Sequence, residues 1–387
     1  SLSAHEVLAQ CKLRFVRSRK MVTSNNPDAN SRLVASRFTL NDHVGTVLRL
    51  LILSLLNCKF VRYPRMRWIG ILGLIACEVH SQSMRLVRPP GRMLKLSTGG
   101  CHVLDEEPTS GVSPESPPVV LVHGFMGSHH YFEYLARALR AAGRRVIRLD
   151  NYGRGFSTAG AGSMDVNLFV DQLLQTLEQL DLTRVELVGY SMGGAIALAF
   201  AAKYPEKMHS LALLAPAGMP SFDGIPKSVS LLGCLPGLDL LLGIYVIGFI
   251  YSRKKVYGAD WELSTKERTA RLTELHEVEM CRLPVEGLRF VHALGRTIAR
   301  FPMADVTAEA RAFGDRGNSG KSSGPSVRTL AVWGTGDSIT SVKGLEELKK
   351  LIPHLQSHLF PTAGHAFPLE RAEETAEVLT RFWSEHV

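Results

Sequence analysis

The sequence predicts an α/β protein in which a mostly parallel β-sheet is flanked by helices. From about residue 92 onward, strand-like and helix-like segments alternate along the chain. The strand-like segments are short, continuous apolar runs, as expected for strands buried on both faces of a parallel sheet. One of them leads directly into a glycine-rich turn and then into a helix of small residues. Alternation of this kind places helices on both faces of one sheet.

Each predicted element follows from its own pattern. Strands are short runs of β-branched and aliphatic residues, and they are expected at Val119–Val122, Arg145–Leu149, Val185–Val188, Leu211–Leu214, Leu330–Trp333 and Gln356–Phe360. Helices carry apolar residues every three or four positions, and they are expected at Tyr131–Ala142, Asp165–Leu180, Val342–Leu351, Glu370–Glu385 and onward from Ser191.

The N-terminal segment, residues 1–90, differs from the rest in charge. Residues 1–67 contain twelve basic and three acidic side chains, which account for the whole net charge of +9. Two apolar runs, Val44–Leu56 and Trp68–Cys77, are shorter than the ~20 residues of a membrane span. We expect a targeting or anchoring segment for a membrane-associated or secretory protein. The alternatives are import into a mitochondrion or other organelle, and an extension without a targeting role.

The charge balance of the remainder bears on nucleic-acid binding. Beyond residue 67 the basic and acidic side chains are equal in number, and no basic patch with interleaved aromatic residues is evident. Such a patch is the electrostatic signature of nucleic-acid binding. No nucleic-acid partner is therefore expected.

The most informative motif is G-x-S-x-G at Gly189–Gly193, placed between a predicted strand and a predicted helix. A nucleophile elbow needs this strand–turn–helix context, because the tight turn leaves room only for small residues around an exposed serine. Ser191 is the candidate nucleophile. The alternative is that Ser191 is an ordinary serine in a glycine-rich turn.

Two further polar residues follow predicted strands near the C-terminal end of the chain. Asp337 comes after Leu330–Trp333, and His365 comes after Gln356–Phe360. Serine, acid and histidine in this chain order match a Ser–Asp–His triad, in which imidazole takes the serine proton and the carboxylate orients the imidazole. The alternatives are a turn residue for Asp337 and a helix-start residue for His365.

An oxyanion site requires two backbone amides near the nucleophile. One is expected from Met192, directly after the serine, and the other from Phe125 in the loop His123–Gly127. His123 itself is expected to order this loop rather than to take part in catalysis.

Together these motifs resemble those of the α/β-hydrolase superfamily, in its lid-bearing esterase and monoacylglycerol-lipase-like branch. The residues that carry the resemblance are His123–Phe125, Asp150–Gly153 with Gly155 and Ser157, Gly189–Gly194, Trp333–Asp337 and Gly364–His365. The resemblance covers about residues 90–387. It implies the α/β-hydrolase fold and hydrolysis of carboxylic esters, with lipophilic esters such as acylglycerols as the expected substrates. No cofactor and no metal are implied.

Three alternatives remain at this point. The same triad catalyses amide hydrolysis or carbon–carbon bond hydrolysis in related enzymes, and a non-catalytic binding protein is also compatible with the fold. Within the predicted hydrolase domain, 91–387, residues 219–306 interrupt the strand pattern and are expected to form a helical lid. Residues 314–325 are expected to form a Gly/Ser-rich loop.

The predicted lid contains a long apolar stretch, Val229–Tyr251. A membrane span here would place Ser191 and the other triad residues on opposite sides of a bilayer. We therefore expect the stretch to line an acyl-binding pocket, with Leu241 and Ile244 as substrate-binding residues. A membrane surface is an expected partner for the lid and the N-terminal segment.

Overall fold

The computed structural model describes nine stretches of the chain, namely residues 90–109, 116–158, 160, 162–219, 238–239, 242–243, 290–301, 305–318 and 327–384. The predicted N-terminal segment lies outside these residues, apart from residue 90. Most of the predicted lid also lies outside them, including both Leu241 and Ile244.

The described strands form one eight-stranded sheet with the order β1-β2-β4-β3-β5-β6-β7-β8. Their bounds are β1 Arg92–Leu96, β2 Gly99–Glu106, β3 Val119–Val122, β4 Val146–Leu149, β5 Val185–Tyr190, β6 Met208–Leu214, β7 Arg328–Gly334 and β8 Gln356–Phe360. The pairs β1–β2 and β2–β4 are antiparallel, and all the other neighbours are parallel. The fold is the predicted α/β-hydrolase fold, a mostly parallel sheet flanked by helices.

The described helices connect these strands. Their bounds are α1 Glu133–Ala141, α2 Val166–Gln179, α3 Met192–Lys203, α4 Thr307–Asn318, α5 Lys343–Leu351, α6 Phe367–Glu370 and α7 Ala372–Ser384, with a 3₁₀ turn His129–Phe132 before α1. Residues 290–300 are also helical, within the expected lid region.

Helix α3 packs against the centre of the sheet and shows why its sequence is rich in alanine and glycine. Its residues 192–202 are all buried, and it contacts β5, β6, α2 and α4. A helix enclosed on every side needs small side chains, because its neighbours approach closely. The nucleophile candidate at its start is therefore held on a rigid element.

The β1–β2 hairpin is absent from the sequence-based assignment. In β1, Leu94 and Leu96 are buried while the alternate positions are exposed, which is the pattern of a strand with one solvated face. Each strand contributes too few apolar residues to stand out as a continuous run. The hairpin extends the antiparallel end of the sheet beside β4.

The structure corrects the predicted loop 314–325, because its first residues belong to α4. The error came from reading Gly314 as a turn residue. An added Cβ at Gly314 would overlap the carbonyl oxygen of Leu351, at the end of α5. The glycine therefore permits close packing of two helices rather than a change of chain direction. The remainder of the predicted loop, residues 319–325, lies outside the described residues.

The predicted helix Glu370–Glu385 is also divided. A short helix, α6, ends at Glu370, and α7 begins at Ala372 after Arg371 leaves the helical region with φ −120° and ψ 47°. Among the residues that the structure describes, no helix combines the length and the apolar character needed to span a membrane.

Candidate active site

Ser191 lies in a sharp turn between β5 and α3. Its backbone has φ 53° and ψ −119°, a conformation that residues other than glycine rarely adopt. The Ser191 amide donates to the carbonyl of Leu214 at 3.0 Å, and the Ser191 carbonyl accepts from the Ala217 amide at 2.9 Å. At Gly193 an added Cβ would overlap the carbonyl oxygen of Val122, so only glycine fits. The surrounding strands thus hold the serine in a strained conformation.

The three residues of the predicted triad lie within hydrogen-bond distance of one another. The Ser191 Oγ–His365 Nε2 distance is 3.0 Å, and the His365 Nδ1–Asp337 Oδ2 distance is 2.8 Å. All three residues are buried. Because an ionised carboxylate only accepts hydrogen bonds, His365 donates through Nδ1–H and leaves Nε2 to accept the serine O–H. This arrangement is suited to removing a proton from Ser191.

Sequence reasoning missed Thr340, which holds the acid. The amides of Ile339 and Thr340 donate to Asp337 Oδ1 at 2.8 and 2.9 Å. The Thr340 hydroxyl lies 2.8 Å from Asp337 Oδ2 and 3.2 Å from His365 Nδ1. These donors fix the carboxylate plane, so that Oδ2 faces the imidazole. An Asp followed three residues later by Thr is the signal for such a self-bonded turn.

Two tyrosines support the histidine loop and were also missed. The Tyr190 hydroxyl donates to the His365 carbonyl at 3.1 Å and accepts from the Tyr131 hydroxyl at 2.8 Å. The Tyr131 and Tyr190 rings stack with their centroids 4.6 Å apart. Because Tyr190 precedes Ser191, the nucleophile turn and the histidine loop are joined by one side chain.

The predicted oxyanion donors flank the serine. Met192 is the first residue of α3, so its amide is one of the helix N–H groups without an intrahelical acceptor. The loop that carries Phe125 passes close to the elbow, since a Cβ added to Gly124 would lie 3.1 Å from Ser191 Cβ. Among the described residues, neither the Phe125 amide nor the Met192 amide donates to another backbone group. Both amides are therefore available to a ligand oxygen.

His123 bonds only to its own loop and to the loop after β4. The Asn151 amide donates to His123 Nε2 at 3.0 Å, and His123 Nδ1 lies 2.8 Å from the Gly124 carbonyl. The accepting Nε2 requires the neutral ring. Burial lowers the pKa of His123 to about 4, which favours the same form. These contacts give His123 an ordering role.

A second buried group of histidines and an aspartate, here termed the Asp150 cluster, consists of His102, His129 and Asp150. His102 Nδ1 lies 2.9 Å from Asp150 Oδ2, and His129 Nδ1 lies 2.9 Å from Asp150 Oδ1. The amides of His129 and Phe156 donate to the same carboxylate at 2.7 and 2.9 Å. The cluster ties the end of β4 to β2 and to the 3₁₀ turn before α1.

The electrostatics of the Asp150 cluster follow from its burial. Burial alone would raise the pKa of Asp150, but the neighbouring His129 and His102 outweigh it and hold that pKa well below the ordinary value. Burial lowers the pKa of His129. The potential ligand atoms of the three residues lie within 4.8 Å of one another, a spacing that is compatible with a metal ion. The donors already present satisfy the carboxylate, whereas His129 Nε2 is buried and no hydrogen bond to it is found among the described residues.

Comparisons with known proteins agree with the fold. The family described as alpha/beta hydrolase fold matches residues 117–235. The acetyltransferase component of the acetoin cleaving system of Pseudomonas putida is 27% identical over 70% of this chain, which spans 64% of that protein. Human monoacylglycerol lipase ABHD6 is 25% identical over 69% of this chain and 75% of its own length. Other relatives are named as a lipase and as hydrolases of 2-hydroxy-6-oxo compounds.

A solved structure shares the architecture. The α/β-hydrolase MGS-M2, from a deep-sea metagenome library, superposes with a TM-score of 0.60 at 17% identity, over 76% of this chain and 98% of its own. At this identity the likeness concerns the fold. Taken with the elbow, the sheet order and the sequence relatives, it shows that this chain has the α/β-hydrolase fold.

Proposed function

We infer that this chain is a serine hydrolase that cleaves carboxylic esters through Ser191, His365 and Asp337. The observation that carries the proposal is the continuous hydrogen-bond chain from Asp337 Oδ2 through the imidazole to Ser191 Oγ, ending at a serine in a strained elbow. Strained backbone at a buried polar group is typical of functional sites. No cofactor is needed for this chemistry.

In the first half of the reaction, Ser191 Oγ attacks the ester carbonyl while its proton passes to His365 Nε2. The carbonyl oxygen becomes an oxyanion, which the Phe125 and Met192 amides stabilise by hydrogen bonds. The tetrahedral intermediate collapses as the imidazolium protonates the leaving alcohol. An acyl-serine remains, and Asp337 stabilises the imidazolium throughout.

In the second half, His365 Nε2 removes a proton from water, and the resulting nucleophile attacks the acyl-serine. A second oxyanion forms in the same place. Its collapse releases the carboxylic acid, and the proton returns from the imidazolium to Ser191 Oγ. The bonds and protons therefore balance without an additional reactant.

The proposed substrates are lipophilic esters such as acylglycerols. The support is the resemblance to a monoacylglycerol lipase and the long apolar stretch Val229–Tyr251 in the predicted lid. Leu241 and Ile244 are proposed to contact the acyl chain. An apolar pocket discriminates by only about 1–3 kcal/mol per methylene, so the preference among acyl lengths should be graded.

We also propose that the N-terminal segment brings the enzyme to a membrane surface. All of the excess positive charge lies within residues 1–67, and each basic residue near an anionic surface contributes about 1 kcal/mol. Deleting residues 1–80 should move the protein from the membrane fraction to the soluble fraction. Identical partitioning of both forms would contradict this proposal.

A second candidate function, hydrolysis of a carbon–carbon bond beside a ketone, uses the same triad. The support for it is that several relatives are named as hydrolases of 2-hydroxy-6-oxo compounds. Ester and carbon–carbon hydrolysis differ in the leaving group, which is an alkoxide in one case and a carbanion in the other.

The experiment compares kcat/KM on three substrates of matched acyl chain: a monoacylglycerol, the corresponding fatty amide and a 2-hydroxy-6-oxo dienoate. Each is assayed with the wild-type chain and with Ser191→Ala. The proposal expects the ester to be hydrolysed fastest, with activity lost in the variant. A larger kcat/KM on the dienoate would favour the second candidate. Ester hydrolysis that survives Ser191→Ala would exclude the proposed mechanism.

A further inference from the structure

Arg154 is a fully buried arginine, and no carboxylate pairs with it within the part of the chain that the structure describes. Its side chain has no solvent exposure, and burial is the cause that lowers its pKa, to about 9. It therefore keeps its positive charge at neutral pH. Taking a charge out of water costs several kcal/mol unless it is paired. A buried unpaired arginine is thus a feature that needs an explanation.

The contacts of Arg154 are with the loop that carries the predicted oxyanion donor. Its Nε donates to the carbonyl of Phe125 at 3.0 Å, and one terminal nitrogen donates to the carbonyl of Tyr152 at 3.0 Å. The other terminal nitrogen is buried and has no hydrogen-bond partner among the described residues. The guanidinium also lies over the rings of Phe125 and Phe169, at 5.4 and 5.7 Å from the centroids.

A second buried arginine in the same molecule has the usual arrangement, in which carboxylates compensate its charge. Arg148 is equally buried, but its guanidinium lies 2.6 Å from a Glu106 oxygen and 2.7 Å from a Glu133 oxygen. Two carboxylates thus compensate the charge of Arg148. The difference between the two arginines is that no acid of the described ranges pairs with Arg154, and departures from local rules of this kind concentrate at functional sites.

We propose that Arg154 is the positioning residue of the oxyanion site, acting through Phe125. The assignment deepens the proposed function and rests on it. The carbonyl that Arg154 holds is three covalent bonds from the Phe125 amide, so the hydrogen bond fixes the direction in which that amide points. The uncompensated positive charge adds a favourable potential where negative charge develops in the transition state. A carboxylate beside Arg154 would cancel that potential.

Binding of anionic and neutral ligands distinguishes the proposed role of Arg154 from a purely structural role. An alkyl trifluoromethyl ketone forms a tetrahedral serine adduct with a negatively charged oxygen, whereas the matching methyl ketone binds without that charge. A structural role affects the binding of both ligands equally. A role at the oxyanion affects the trifluoromethyl ketone alone.

The variants are Arg154→Gln, which removes the charge and keeps a neutral donor, and Arg154→Lys, which keeps a cation. Arg154→Gln should lower kcat and weaken trifluoromethyl ketone binding by about tenfold or more, with methyl ketone binding within about twofold of wild type. Arg154→Lys should recover part of the loss. The control Arg148→Gln should lower the unfolding midpoint and leave the ratio of the two ketone affinities unchanged.

Equal weakening of the binding of both ketones in Arg154→Gln, or an unchanged trifluoromethyl ketone affinity, would overturn the role of Arg154 but not the proposed function. An Arg148→Gln variant with the same change of ratio would also overturn it, since the effect would then belong to any buried arginine. A wild-type chain that neither hydrolyses the ester nor binds the trifluoromethyl ketone would overturn the proposed function, and the assignment with it.

Discussion

Two buried histidine–aspartate groups in this molecule differ in the partner of the histidine Nε2, the ring nitrogen that faces away from the carboxylate. At the triad, His365 Nδ1 faces Asp337 and its Nε2 lies 3.0 Å from Ser191 Oγ. In the Asp150 cluster, His129 Nδ1 faces the carboxylate in the same way, but its Nε2 is buried and has no hydrogen-bond partner within the described ranges. A buried aspartate beside a histidine is therefore insufficient to identify a catalytic pair.

The two groups also differ in the hydrogen bonds and the backbone conformation of the nearby serine. Ser157, near the Asp150 cluster, donates its hydroxyl hydrogen to the Asp150 backbone carbonyl at 2.6 Å and accepts from the His102 amide at 2.9 Å. Its proton is thus directed at the backbone rather than at an imidazole. Ser191 instead occupies a strained turn at the start of a helix. The two groups differ more in the position of the serine than in the acid–base pair, and this difference is why Ser191 rather than Ser157 is the proposed nucleophile.

The largest expected effect is on turnover at the triad. Asp337→Asn should lower kcat on a soluble ester by about 10⁴-fold, because the amide no longer enforces the Nδ1–H tautomer of His365. The unfolding midpoint should change little by comparison. Steady-state kinetics on the purified variant measure the effect, and a loss of less than tenfold would contradict the role of Asp337. Asp315→Asn, in α4, is the matched control and should retain normal turnover.

The corresponding change in the Asp150 cluster should act on stability. Asp150→Asn leaves buried N–H donors without an ionised acceptor and should cost about 3–5 kcal/mol in the free energy of unfolding. Turnover per folded molecule should stay within a few-fold of wild type. Urea unfolding and active-site titration measure the two quantities. If Asp150→Asn lost turnover as Asp337→Asn does while remaining stable, the distinction between the two sites would fail.

The next effect concerns acid stability beside the Asp150 cluster. Because the pKa of His123 falls from 6.5 to about 4 on folding, the unfolded chain binds its proton first as the pH is lowered. Stability is therefore present above pH 6.5 and is lost between pH 6.5 and about 4, by about 3 kcal/mol for this group.

His123→Gln tests this effect, because the glutamine oxygen can accept the Asn151 amide without titrating. The free energy of unfolding of this variant should fall less between pH 7 and pH 4.5 than that of wild type. Urea unfolding at the two pH values measures the effect. An equal fall in the free energy of unfolding of both proteins would assign the acid sensitivity to other groups, such as Asp150 and His129.

The smallest expected effect concerns the support of Asp337. Thr340→Val removes the hydroxyl 2.8 Å from Asp337 Oδ2 and should lower kcat roughly fivefold, in keeping with the ~1 kcal/mol of one hydrogen bond. Thr340→Ser keeps the hydroxyl and should restore turnover. If both variants lost activity equally, the methyl group rather than the hydroxyl would be responsible.

The sequence predicted the parts of the site that follow strands. Ser191, Asp337 and His365 each come after a predicted strand, and the carboxyl ends of parallel strands meet at one edge, so their proximity followed from the order of elements. Asp150 also follows a predicted strand, but its two histidine partners had no such signal. His102 lies on an antiparallel strand with a weak pattern, and His129 lies in the 3₁₀ turn before α1, so only the folded chain brings them to Asp150.

The fold shows the same division. Continuous apolar runs identified most of the parallel sheet. The hairpin β1–β2 was missed because β1 is solvated on one face and β2 mixes polar and apolar residues in its buried centre. Gly314 was misassigned to a loop because a glycine that admits a close helix contact cannot be distinguished locally from one that turns the chain. No sequence pattern indicated a role for Arg154, since its burial and the lack of an acid partner among the described residues arise only from tertiary packing.

The most direct test of the central claim is the position of a covalent label. The wild-type chain is treated with an alkyl fluorophosphonate, and the modified peptide is mapped by mass spectrometry. We expect one adduct, on Ser191, that forms with the wild-type chain and is absent from Ser191→Ala. An adduct on Ser157, or labelling of Ser191→Ala at the wild-type rate, would contradict the assignment of Ser191 as the nucleophile.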